Sequence, residues 1–300
     1  MQKLLNLKNM KQIIFSFTIS AFTIAAYGQL SGTIGGTNQK AALTKLDQAS
    51  IRCYYQFVQK DKSNQLQTDT MTLDIGAQIS EYYDIAKQKQ DSLYSAYFSK
   101  IDPNTIRSIT ILKGMRALEH THAGGNTFSS GRPKESARLY KNRQTGEIII
   151  IDYLSSVPDK YRFTETIRPQ AWQIEADTAT ILGYHCQKAT ASFRGRIYEA
   201  WFCPEIPVND GPWKFFGLPG LILKVTDTNE IFSFECVGMV NLVPPRDITM
   251  EQIKYINCSR DELATIKKKQ DGEMKISNNA GIIVMTQLDA KDDYHSLELE

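Results

Sequence analysis

Tyr184-His-Cys-Gln-Lys-Ala-Thr-Ala-Ser-Phe193-Arg-Gly-Arg196-Ile-Tyr-Glu-Ala-Trp-Phe-Cys203 reads as a β-hairpin, and it sets the fold class. Arg194-Gly195 forms a two-residue loop, because glycine accepts the positive φ that such a turn demands. Phe193 then faces Arg196, Lys188 faces Trp201, and Cys186 faces Cys203. One face carries Ala189, Ala191, Phe193, Tyr198, Ala200 and Phe202, the composition of a core face. The pair flanking the loop is hydrogen-bonded and the type then alternates, which makes Cys186–Cys203 a non-hydrogen-bonded pair. Side chains are closest there, within reach of a disulfide. The expectation is a cross-strand Cys186–Cys203 bridge; two free thiols side by side is the other reading. A one-residue change in the loop would put the two cysteines on opposite faces. Lys188 opposite Trp201 suggests a cation–π contact.

The same pattern extends outward. Arg138–Lys141 and Glu147–Tyr153 flank an Asn142–Gly146 turn. Further strand candidates are Arg162–Ile167, Trp172–Glu175, Leu221–Thr226 and Ile231–Val237, separated by Gly, Pro, Asp and Asn turns. Upstream, Ile51–Val58 and Met71–Ile75 alternate as strands, while 80–98 fits either a helix or short strands. Residues 29–48 read as an irregular lead-in and 119–136 as a loop. Strands this closely spaced imply an antiparallel meander. The expected fold is mainly β: a single curved antiparallel sheet, half-barrel-like, with a few helices. One helix is C-terminal, because Ser259-x-x-Glu262 forms a capping box ahead of Leu263, Ala264 and Ile266. Residues 291–300 read as frayed. The organisation is a β domain over 49–245 and a helical or irregular appendage over 246–300.

The N-terminus places that sheet outside the cytoplasm. Lys3, Lys8 and Lys11 precede an apolar run from Ile13 to Ala26. That run is shorter than the roughly 20 residues of a membrane span. Ala26 and Gly28 form a small-x-small cleavage site, so 1–28 read as a signal peptide cut after Gly28. An uncleaved anchor is the competing reading. The expected location is the periplasm, the outer membrane or the exterior, with no transmembrane span after cleavage. Net charge is +2 over 300 residues, which lacks the basic face that nucleic-acid binding needs. Five cysteines in an exported chain make oxidation plausible and leave at least one unpaired. The partners of Cys53, Cys236 and Cys258 are not set by the sequence.

The most distinctive segment is Gly211-Pro-Trp-Lys-Phe-Phe-Gly-Leu-Pro-Gly-Leu-Ile-Leu223. It resembles the signature of the GLPGLI family, named for Gly217–Ile222. Gly183–Ala189, Phe193–Arg196, Ala200–Phe202, Glu205–Pro207 and Trp172 also look like family positions. The resemblance covers roughly 50–245 and implies an exported Bacteroidota protein; it brings no established activity. In physical terms, Pro219 and Gly220 fit a type II turn, with positive φ at Gly220, leading into a buried strand. Trp213, Phe215, Phe216 and Leu218 then form either a packed corner that closes the sheet or an exposed apolar lip.

Motifs that carry chemistry are sparse. Glu119-His120-x-His122 has metal-ligand spacing but lacks a third ligand nearby. His185 and Cys186, adjacent on a strand, point to opposite faces and make no dyad. No nucleophile elbow, zinc-protease, phosphate-loop or dinucleotide fingerprint is present. No catalytic residue, metal or cofactor is therefore assigned. Arg194 and Arg196 bracket a turn, either solvated or facing an acidic partner. Three functions remain in view. The first is a non-enzymatic module holding a lipid, an apolar small molecule or a partner segment, with Trp201, Trp213, Phe215, Phe216, Leu218 and Arg196 as candidate binding residues. The second is a hydrolase built from scattered carboxylates. The third is an envelope assembly factor whose partner is another envelope protein.

Overall fold

The computed structural model describes residues 41–89, 108–113, 126–129, 137–153, 160–270, 274–279, 282–287 and 295–299. The expected signal segment, its cleavage site, and His120 and His122 lie outside them. The described strands are β1 (Leu43–Lys60), β2 (Leu66–Gly76), β3 (Ile79–Asp84), β4 (Ser108–Lys113), β5 (Asn126–Ser129), β6 (Arg138–Asn142), β7 (Glu147–Tyr153) and β8 (Lys160–Thr166). They continue with β9 (Gln173–Ile181), β10 (Tyr184–Phe193), β11 (Arg196–Cys203), β12 (Leu221–Asp227), β13 (Phe232–Glu251), β14 (Ile256–Asn257), β15 (Met274–Asn279) and β16 (Ile282–Gln287). Helix α1 spans Arg260–Gln270.

The chain is mainly β and forms two compact units. The larger is a 12-stranded sheet in the order β14-β8-β7-β6-β3-β2-β1-β13-β12-β11-β10-β9, not closed at its ends. All its pairings are antiparallel except β14 with β8. The smaller unit is a four-stranded sheet, β4-β16-β15-β5, with β4 and β16 parallel. The expected single antiparallel sheet is thus one large sheet plus a small mixed one, and β5 falls inside the stretch read as a loop.

A period of two builds the core. Cys53, Tyr55 and Phe57 of β1, Met71, Leu73 and Ile75 of β2, Tyr198, Ala200 and Phe202 of β11, and Phe232, Phe234 and Cys236 of β13 all face one cluster. That nine strands of an open sheet meet in one cluster requires the sheet to bend around it. Bulges supply bend and twist: β1 shifts register against β13 at Lys45/Asp47, Ala49/Ile51 and Tyr54/Tyr55.

Three expectations about segment ends are corrected. Strand β1 starts at Leu43, inside the stretch read as an irregular lead-in, and β13 runs on to Glu251, past the expected boundary at 245. These extensions pair with each other, Leu43 with Glu251 and Ala49 with Arg246, and their few apolar residues, Leu46, Ala49, Ile248 and Met250, pack in a small cluster separate from the main core. Residues 80–84 are strand and 85–89 helical. Residues 295–299 are docked rather than frayed, as described below.

The hairpin keeps its expected register from Phe193↔Arg196 through Lys188↔Trp201 to Gln187↔Phe202. Arg194 and Gly195 both have positive φ, 50° and 76°, as do Leu182 and Gly183 in the preceding two-residue turn. The disulfide does not follow. Cys186 and Cys203 are free thiols. The described β10–β11 pairs stop at Gln187↔Phe202, and both outer ladders shift register there, between Gln187 and Ala189 against β9 and between Trp201 and Phe202 against β12. The β10–β11 ladder itself keeps its register, so opposition across two strands is not enough to bring the two sulfurs into a bond. Both thiols end up buried in the main core. Lys188 Nζ turns to Glu199 (3.2 Å) and Glu175 (3.7 Å) rather than to Trp201.

Candidate functional site

The distinctive 211–223 segment folds as the packed corner. Trp213, Phe215, Phe216 and Leu218 are all buried in the main core, and Trp201 is half-buried. Phe215 sits edge-on to Tyr198 (4.7 Å between centroids), Trp213 (5.3 Å) and Phe193 (5.9 Å). A binding lip would expose these rings; here each covers another. Backbone groups are pinned from outside the segment: Trp172 Nε1 donates to Phe216 O (2.9 Å), and Gln170 both donates to Lys214 O (3.2 Å) and accepts from Phe216 N (3.0 Å). From the other side Lys141 Nζ donates to the carbonyls of Gly211 (3.0 Å), Trp213 (3.4 Å) and Phe215 (3.0 Å) and meets Asp210 Oδ1 at 2.6 Å. Burial pulls the Lys141 ammonium below the ordinary lysine range, and Asp210 opposes that pull.

The glycines of this corner act differently from the turn expected of them. Gly217 carries the positive φ, 107°. Gly220 is needed for close approach: a Cβ there would lie 2.2 Å from the Cys203 carbonyl oxygen.

The rim of the corner is polar and occupied. Lys214 is the one charged residue in the apolar run, and its side chain is 5% exposed. Its ammonium contacts the carboxylates of Glu165 and Glu298. Arg194 Nη2 lies 2.7 Å from Glu165 Oε2, and Arg260 Nη1, at the start of α1, lies 3.0 Å from Glu298 Oε2. Arg196 is buried over the Phe232 ring, with Nη1 3.7 Å from Asp227. The solvated-turn reading of Arg194 and Arg196 is therefore replaced by acidic partners within the chain.

Residues 295–299 lie across this rim as an extended strap. Gln59 Nε2 donates to His295 O (3.0 Å), Arg196 Nη2 to Ser296 O (2.7 Å), and Tyr198 Oη to Leu297 O (3.3 Å). Leu299 N donates to Arg194 O (3.1 Å). Leu297 packs against the main core, and Ser296 Oγ donates to Glu298 O (2.6 Å). Burial raises the Tyr198 phenol well above the ordinary range, so it stays a donor. Of the candidates, Arg196 holds the strap directly, while Trp213 underlies Lys214, whose Nζ stands 5.4 Å from that ring. Sequence reasoning missed Lys214, Tyr198, Arg260, Gln59 and Glu298. One signal was available: a lone lysine inside an apolar run must find a counter-charge.

A second polar cluster lies on the opposite face of β1–β3. Arg52 clamps Asp74 through Nε (2.6 Å) and Nη2 (2.8 Å). Arg246 Nη1 reaches both Asp74 and Glu81, Arg138 Nη1 reaches Glu81 Oε1 (3.0 Å), and Tyr83 Oη donates to Asp74 Oδ2 (3.2 Å). The Arg138 and Arg246 guanidiniums sit 5.3 and 5.4 Å from the Tyr83 ring. Asp74 and Glu81 here share the Arg246 guanidinium and are ion-paired further by Arg52 and Arg138. Among the described residues, no three His, Cys, Asp or Glu side chains group as metal ligands. No helix among them is long and apolar enough to cross a membrane.

A family model described as "Protein of unknown function (Porph_ging)" matches residues 194–224, from the hairpin turn through the corner to β12. No curated protein matches the chain. Two structures of PNGF-II, in space groups P21 and C2, are similar at 13% identity with a TM-score of 0.44. The matches cover 73% of this chain and 33% and 32% of PNGF-II, so the chain spans about a third of that protein's length.

Proposed function

We propose that the protein is an exported, non-enzymatic binding module that holds an extended polypeptide segment on the rim of the aromatic corner. One observation carries the reading: four main-chain groups of 295–299 are bonded by Gln59, Arg196, Tyr198 and Arg194. Main-chain bonds of this kind hold a strand without regard to its side chains, and a pocket for alternate side chains adds selectivity. The burial of Trp213, Phe215 and Phe216, with Trp213 and Phe215 packed edge-on, favours a segment over a lipid or apolar small molecule. The ion pairing of Asp74 and Glu81 with Arg52, Arg138 and Arg246 argues against the hydrolase reading.

The test uses the full chain with Leu297→Ser and Glu298→Ser, which unseats the strap. A fluorescent peptide of residues 294–299 is titrated against it by anisotropy. Saturable binding that is lost on adding Tyr198→Phe with Arg196→Gln is expected. No binding up to millimolar peptide rejects the reading. Lipid recovered at one equivalent in an organic extract of the native protein would favour the apolar-ligand alternative instead.

A further inference from the structure

We infer that this site selects an acidic partner segment carrying a Leu-Glu pair, and that residues 295–299 are its resident competitor. The inference rests on the segment-binding reading above and adds the chemistry of the occupant and the means of regulation.

The charge of the rim dictates the acid. Arg194 and Lys214 both lean on Glu165, so two cations share one carboxylate. Arg260 adds a third cation, its nearest other carboxylate being Asp261 at 3.5 Å in an exposed setting. Glu298 completes the balance by reaching Lys214 and Arg260 together, with 12% of its side chain exposed. A lysine as buried as Lys214 makes an uncharged occupant at this position costly, because an ion out of water needs its partner. The position before it points inward: Leu297 packs on the core beside Tyr198, whose hydroxyl bonds the Leu297 carbonyl. An apolar side chain followed by a carboxylate is therefore the pattern read, with Gln59, Arg196 and Arg194 fixing the direction of the backbone.

The five described residues of the strap are joined to the domain by bonds at the rim. A tethered strap competes at an effective concentration of about a millimolar. If the strap's own sequence binds the open site with a dissociation constant of about ten micromolar, any partner peptide meets the intact chain roughly a hundredfold more weakly.

The experiment compares the intact chain with the unseated Leu297→Ser, Glu298→Ser chain, each titrated with three peptides of residues 294–299: unchanged, Glu298→Lys and Leu297→Ser. The unchanged peptide should bind the unseated chain at least about tenfold tighter than the intact chain, and either substitution in the peptide should weaken binding at least about tenfold. Adding Arg260→Glu to the unseated chain should shift its preference toward the Glu298→Lys peptide, a rescue that a misfolded variant cannot give. If no peptide binds, the proposed function itself fails. If all three bind the unseated chain alike, the Leu-Glu selectivity fails while segment binding stands. If the unchanged peptide binds intact and unseated chains alike, the competitor role fails. Dimers of the intact chain that vanish on unseating would make a second copy the occupant and overturn competition within one chain.

Discussion

Lys141 Nζ lies 2.6 Å from Asp210 Oδ1, with both side chains buried, and the same ammonium gathers the carbonyls of Gly211, Trp213 and Phe215. One cation from the β6 strand thereby holds one side of the corner, opposite Gln170 and Trp172. Replacing it by an apolar side chain leaves Asp210 with Arg143 (3.1 Å) and the Gly211 amide (2.8 Å), and strands three buried carbonyls. Lys141→Met should therefore lower stability by about 3–5 kcal/mol. Urea unfolding checks this, read as a shift in midpoint at constant slope; a loss below about 1 kcal/mol would mean that the corner holds without its cation.

All five cysteines should be recovered as free thiols. Burial pushes the Cys186 thiol up to about 11 and raises Cys203 and Cys258 as well, which keeps them protonated and slow to react. Intact mass should be the same with and without reductant, and thiol counting after unfolding should return five. In the native state Cys258, the one not fully buried, should be labelled first. A native mass lower by two hydrogens that is restored by reductant would revive the bridge.

The hairpin and its neighbours were legible because they obey local rules. Gly195 and Gly183 announce their turns, and Ala189, Ala191, Tyr198 and Ala200 alternate cleanly onto the core. The far ends of β1 and β13 were not legible, because 43–49 and 246–251 carry only a few apolar residues each among polar ones, and their small cluster forms only when the two extensions pair. The disulfide failed although the two-strand arithmetic held: Cys186 and Cys203 stand one step beyond the last described β10–β11 pair, and register alone does not set the sulfur geometry a bridge needs. The candidate site was half visible. Arg196 and Trp213 stood out by type, whereas Glu298 looked like an ordinary polar residue in a stretch read as frayed, and its role depends on Lys214 and Arg260 reaching it from far away in sequence.

Gly220 and Gly183 should separate packing from backbone strain. Alanine at 220 forces a methyl to within 2.2 Å of a main-chain oxygen that belongs to β11, and should lower stability by about 3 kcal/mol or more. Alanine at 183 meets nothing within 4 Å, but the backbone there has φ of 83°. Only the left-handed penalty, about 1–2 kcal/mol, is expected. Thermal unfolding of the two variants side by side tests the ranking, and a reversed order would contradict the corner geometry.

Helix α1 should respond to acid through its cap. Ser259 N donates to Glu262 Oε2 (2.7 Å) while Glu262 N donates to Ser259 Oγ (3.2 Å), the reciprocal box expected from Ser259-x-x-Glu262. The Ser259 amide, followed by its hydroxyl, holds the Glu262 carboxyl below its ordinary value of 4.5. A carboxyl depressed in the folded state contributes stability that is fully present above the unfolded value and fades as pH falls through the folded value. The window is therefore the acidic side of pH 4.5. Hydrogen-exchange protection of the amides of 263–267 should drop between about pH 6 and about pH 3, and Glu262→Gln should flatten that drop. Asp261 is present in both proteins, so the difference isolates Glu262. Ser259→Ala removes the other half of the box and should loosen the first turn by about 1 kcal/mol at neutral pH. Protection that stays level across the acid range in the unmodified protein would show that α1 is held by the packing of Leu263 on Tyr161 rather than by its cap.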